Sequence, residues 1–166
     1  MDINPLSLGI SVINESKNSD ILKEGNIMSV IIKRASKIPY NNSSIYETSH
    51  DNQTVINIEI YEGEKKYVKY NHILGHLYLR DLPPKPKGEV KIKVNFFIDV
   101  NGILIVTAYE LSSEGKELRS IKTEIEYQSI GLNNEKLKKL KEKNKKYIDK
   151  INTNLIKDYS NTREEL

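Results

Sequence analysis

The stretch VKIKVNFFIDVNGILIVTAYE, residues 90–110, decides the fold. Val90, Ile92, Val94, Phe96, Ile98 and Val100 alternate with Lys91, Lys93, Asn95, Phe97 and Asp99. Side chains on a strand point to opposite faces with period two, so this pattern predicts a strand with one buried and one mostly wet face. Asn101-Gly102 separates it from a second apolar run, 103–110. Asn-Gly between two such runs is a strong hairpin signal, because both residues tolerate positive φ.

Working outward, further strands are expected at 6–13, 27–34, 54–61, 66–70, 76–80 and 117–127. Pro83, Pro84 and Pro86 form a connector that cannot lie mid-sheet, and Ser113-Glu114-Gly115 marks a turn. Many short strands with turns between them predict a β-sandwich. Within 54–61, Ile56, Ile58 and Ile60 fall on one side of the strand. Such a face must be covered, either by the protein's own core or by another molecule's side chain. Residues 11–26 are polar, without alternation, and read as a long loop.

The period changes in the tail. Leu137, Leu140, Asn144, Ile148, Ile151 and Leu155 recur at steps of three or four, the stripe of an amphipathic helix. Asn133 is its expected N-cap, and Glu135–Lys139 and Glu142–Lys146 are favourable i,i+4 pairs. The fold class is therefore mainly β, a sandwich over 1–131 followed by an amphipathic helical segment over 132–166.

Composition narrows the function. The chain has 166 residues, 37% hydrophobic and 30% charged, with a net charge of +3. No run of about 18 apolar residues offers a transmembrane helix, and the N-terminus has neither the basic region nor the apolar core of a signal peptide. With no cysteine, disulfides, thiolate metal sites and cysteine nucleophiles are excluded. The basic excess sits in 132–166, where acidic residues interleave with the lysines, so a solvated helix face is favoured over a nucleic-acid or membrane surface. His50, His72 and His76 are the three histidines. His72 and His76 suit a metal only on a helix, and Gly75 between them argues for a turn or strand. Neither G-x-x-x-x-G-K-[ST] nor G-x-G-x-x-G occurs, and Ser49, His50 and Asp51 are too close in sequence to converge as a triad. Catalytic and metal sites are expected to be absent.

The stretches DINPLSLGI (2–10), KIP (37–39), DNQTVINIEIYEGE (51–64), LPPKPKG (82–88), VNFFIDVNGILIVTA (94–108) and GLN (131–133) occur in the order and spacing of one family. Together they resemble the substrate-binding domain of the seventy-kilodalton heat-shock chaperones of the DnaK type. The resemblance covers nearly the whole chain. It implies a β-sandwich with a helical lid, here truncated, and a groove that holds extended hydrophobic segments of unfolded polypeptides. By the resemblance, Ile56 and Ile58 line the groove floor, and Ile10, Val12, Tyr46 and Ile92 match other pocket positions. Ile13 and Ser49 match the pair arching over bound backbone, and Glu47 and Gln53 flank the peptide. Asp51 and Lys87 match a pair that latches the lid, although the family usually has Arg at the second place. Asp2, Arg34 and Asn101 match positions facing the ATPase domain.

That ATPase domain, with its ATP and Mg, is absent from the sequence, so a piece of a larger chaperone without enzymatic activity is expected. Its implied partners are its own ATPase domain, J-domain co-chaperones and nucleotide-exchange factors, with no nucleic acid and no membrane. Self-association through the tail or lid helix is a further expectation, and the cytoplasm is the default location. The terminal REEL is assigned no retrieval role. One departure stands out. Within Asn14–Gly25 the sequence carries about eleven residues where the family has a tight turn. A divergent, co-chaperone-like regulatory module with weak peptide binding is the alternative this insertion raises.

Overall fold

The computed structural model describes residues 3–126 together with 142, 143, 145 and 146. Eight strands form two antiparallel sheets. They are β1 (Leu8–Val12), β2 (Ile27–Ile32), β3 (Tyr40–Glu47), β4 (Ile56–Glu62), β5 (His72–Leu79), β6 (Lys91–Ile98), β7 (Ile103–Leu111) and β8 (Glu117–Glu126). One sheet has the order β2-β1-β4-β5, the other β3-β6-β7-β8.

The alternating residues generate the core. Ile92, Val94, Phe96 and Ile98 of β6 face inward with Leu104, Val106 and Ala108 of β7. From the other sheet come Leu8 and Ile10 of β1, Ile56, Ile58 and Ile60 of β4, and Leu77 and Leu79 of β5. The three isoleucines of β4 are completely buried, so their cover is the protein's own core. Each such burial contributes roughly 1.5–3 kcal/mol.

Four sequence expectations need correction. The segment 66–70 is a single 3-10 turn at Val68–Tyr70 and not a strand. Only Val68 is buried there, so no period-two face is needed, and the backbone closes locally through Tyr70 N–H to the Tyr67 carbonyl. Strand β3 was not expected. Its sequence, YNNSSIYE, is polar because it is an exposed edge strand, held by full pairing with β6 from Tyr40↔Ile98 to Glu47↔Lys91. The β6–β7 hairpin places only Gly102 at positive φ, 78°, and Asn101 does not share it. Instead Asp99 Oδ1 accepts from the N–H groups of Asn101 and Ile103, which organises a four-residue turn. The insertion, expected to be all loop, carries one helical turn, α1 (Ser19–Leu22), because Asn18 Oδ1 accepts from Asp20 N–H at 2.9 Å and caps it.

The expected tail helix lies outside the described residues, apart from Glu142, Lys143, Lys145 and Lys146, which are helical. Asp2 also lies outside them. Among the described residues, no helix is long and apolar enough to cross a membrane.

Candidate functional site

At the end of the sandwich where β1 and β3 finish and β6 begins there is a cavity of about 350 Å³. Val12, Ile13 and Glu15 form one wall. Ile45 and Tyr46, followed by Glu47, Thr48 and Ser49, form another. Lys87 and Lys91 complete it.

Each wall is fixed by its own chemistry. Residues 48–55 are folded around Gln53, whose side chain is buried within that loop. Its Oε1 accepts from Ser49 N–H at 2.9 Å and His50 N–H at 3.3 Å, and its Nε2 donates to the Val55 carbonyl at 3.0 Å. The loop is tied to the proline-rich connector. Lys87 N–H donates to Asp51 Oδ1 at 2.8 Å, and Asn52 N–H donates to the Lys85 carbonyl at 2.9 Å. The insertion is organised by Asn14, which is buried. Its Nδ2 donates to the Ile21 and Gly25 carbonyls, both at 3.0 Å, and its Oδ1 accepts from Ser16 N–H. Farther along, Glu24 accepts from Lys69 Nζ and Tyr70 Oη, each at 3.0 Å. Those two donors hold the Glu24 carboxyl below the usual carboxylate range. The insertion is thus a built element anchored at both ends.

Tyr46 joins cavity and core. Its ring packs against the core cluster, and its hydroxyl shares a 2.8 Å hydrogen bond with Ser29 Oγ, linking β3 to β2 of the opposite sheet. Burial pushes the phenol pKa up. Two ion pairs line the rim, Lys91 Nζ–Glu47 Oε2 at 2.5 Å and Lys87 Nζ–Glu15 Oε1 at 3.4 Å. The Lys91 ammonium holds the Glu47 carboxyl below its ordinary range. The rim is consequently charge-balanced, above apolar groups from Val12, Ile13, Ile45 and Tyr46.

The expected site residues divide into groups. Val12, Ile13, Tyr46, Glu47 and Ser49 converge on the cavity. Ile10, Ile56, Ile58 and Ile92 are 0% exposed and belong to the core below it. Gln53 supports the loop and does not line the cavity. Asp51 and Lys87 meet each other through carboxylate and backbone, while the Lys87 ammonium turns to Glu15. Arg34 and Asn101 are exposed at the opposite end of the sandwich, beyond the ends of the strands where Tyr40 pairs with Ile98. Glu15, Ile45, Thr48 and Lys91 were not singled out from the sequence. Ile45 and Lys91 are outward positions of alternating strands and so look like ordinary surface.

His72 and His76 lie on β5, four residues apart on an extended chain, so they do not converge. His76 instead stacks edge-on against Tyr78, and burial lowers its pKa. Among the described residues, no group of three or more His, Asp or Glu is arranged to hold a metal ion. A second opening, about 410 Å³, lies between the edges of β5 and β8 and is lined by Leu77, Leu79, Arg80, Arg119 and Ile121, among others. Its Arg119 is committed to Glu110 Oε2 at 2.6 Å and to the Arg80 carbonyl.

Comparison with known proteins adds lineage to this geometry. The family model described as "Hsp70 protein" matches residues 1–166. The chain is similar to the mitochondrial-type heat shock protein 70 of Encephalitozoon cuniculi (strain GB-M1), with 34% identity over 156 residues. That match covers 91% of this chain and 24% of the relative, so the chain spans about a quarter of the relative's length.

Proposed function

The chain belongs to the Hsp70 family, and from that premise we propose that these residues are the part of a chaperone that holds extended, apolar segments of unfolded polypeptides. The carrying observation is the convergence of Val12, Ile13, Tyr46, Glu47 and Ser49 on one cavity at one end of the sandwich. An apolar side chain entering among Val12, Ile13, Ile45 and Tyr46 contributes roughly 1.5–3 kcal/mol when fully buried. Backbone hydrogen bonds to an extended client are indifferent to its sequence. The two together give modest affinity for many clients, which suits a generalist.

In this reading the 166 residues bind and do not hydrolyse. Gating belongs to an ATPase domain carrying ATP and Mg, with J-domain co-chaperones and nucleotide-exchange factors as partners of the whole protein. Arg34 and Asn101, exposed away from the cavity, are available to face that domain. The mitochondrial type of the relative favours an organelle over the cytosol. One observation favours the alternative of a regulatory module that grips peptide weakly. Ile10, Ile56 and Ile92 present no surface, so the central pocket is closed beneath the cavity.

Titrating a dye-labelled seven-residue peptide with central leucines separates the two by fluorescence anisotropy. Wild type is expected to bind in the micromolar range. Ile45→Asp alters a cavity residue that is 62% exposed, so the fold is retained. It is expected to weaken binding about tenfold, or ~1.4 kcal/mol. A folded wild type that ignores the peptide selects the regulatory reading.

A further inference from the structure

We infer that the Asn14–Gly25 insertion supplies a latch of its own for the cavity, the ion pair of Glu15 with Lys87. This rests on the peptide-site reading and names a control on that site. Glu15 belongs to the segment leaving β1, and Lys87 to the connector between β5 and β6. Both line the cavity, and their charged ends meet at 3.4 Å, joining two of its walls.

Both ends of the latch are backed. Glu15 directly follows Asn14, whose amide and carbonyl groups make three hydrogen bonds within the insertion. At the far end of the insertion, Glu24 is clamped to Lys69 and Tyr70. Lys87 is held through its own N–H by Asp51. These bonds tie each segment to its own neighbours, and the Glu15–Lys87 pair joins the two segments across the gap. A client side chain that enters among Val12, Ile13, Ile45 and Tyr46 has to pass between the walls that carry Glu15 and Lys87. Parting the walls opposes the Glu15–Lys87 attraction. The pair thus slows both entry and escape of a deeply seated peptide. Its side chains are 73% and 55% exposed, so the restraint is modest and tunable.

The test measures peptide association and dissociation rates with the same labelled peptide on the 166-residue chain. Glu15→Gln is expected to speed dissociation about twofold to fivefold, the range of an exposed ion pair. Glu15→Lys is expected to do at least as much, and adding Lys87→Glu is expected to restore the wild-type rate within about twofold. Because the sequence has no cysteine, Glu15→Cys with Lys87→Cys offers a unique pair for a short bismaleimide bridge. Bridging after loading is expected to prolong retention at least about tenfold, and bridging before loading to slow uptake equally. Melting temperatures within a few degrees of wild type establish that each variant is folded. Normal peptide binding with unchanged rates in Glu15→Gln and in the bridged protein overturns the latch alone. Failure of wild type to bind peptide overturns the peptide site, and the latch with it.

Discussion

Gly9→Ala is expected to cost more than about 3 kcal/mol of folding stability, among the largest effects of any single-methyl addition to this chain. A Cβ built on Gly9 would lie 2.0 Å from the Ser29 carbonyl oxygen, 2.8 Å from its carbon and 3.0 Å from Val30 Cα. All three are backbone atoms, so no rotamer change relieves the clash. The strands must separate where Gly9 opposes Val30 and the register already shifts beside Leu8. Those same strands position Val12 on the cavity and Ser29 against Tyr46, so peptide binding should fall together with stability. Gly25→Ala is the control. Nothing lies within 4 Å of its would-be Cβ, and only the left-handed backbone, φ 84°, opposes it, at about 1 kcal/mol. Urea unfolding of the two variants checks the contrast. A Gly9→Ala protein as stable as Gly25→Ala would show that β1 and β2 do not approach this closely.

Phe96→Ala is expected to cost about 3–5 kcal/mol, whereas Phe97→Ala next to it should cost less than half as much. Among the described residues Phe96 is the largest fully buried side chain, and it sits where β6 faces the opposite sheet. Phe97 points to the outer face, half-buried, in the row where Asn41 and Ile105 flank it. Two adjacent phenylalanines thus report directly on the period-two alternation. Equal losses, read from denaturant midpoints, would contradict the assigned faces of β6.

What was legible followed from how strongly burial writes itself into sequence. The β6–β7 hairpin and the isoleucines of β4 were readable because a half-buried strand must alternate. Strand β3 was not, since an edge strand exposed on most of its length needs no apolar face and takes its conformation from β6. The 3-10 turn at Val68–Tyr70 imitates a strand because Val and Tyr carry high β preference while tertiary context sets the backbone. At the cavity, the resemblance supplied Val12, Ile13, Tyr46, Glu47 and Ser49. It did not supply Glu15, which lies in the Asn14–Gly25 segment that the resemblance reads as an insertion. The partnership of Glu15 with Lys87 spans 72 positions and joins two exposed charges that sequence alone treats as solvated. What covers Ile10 and Ile56 was equally hidden. An alternating isoleucine face reads the same whether a core or a client covers it.

The most direct test of the central claim is backbone amide NMR of the isotopically labelled chain during titration with the leucine-centred peptide. The peptide-site account predicts that the largest shifts fall on residues 12–15 and 45–49, with smaller ones at 87–91, and that residues 76–81 and 119–121 around the second opening stay still. Shifts centred on that second opening, or a spectrum unchanged at saturating peptide, would contradict it.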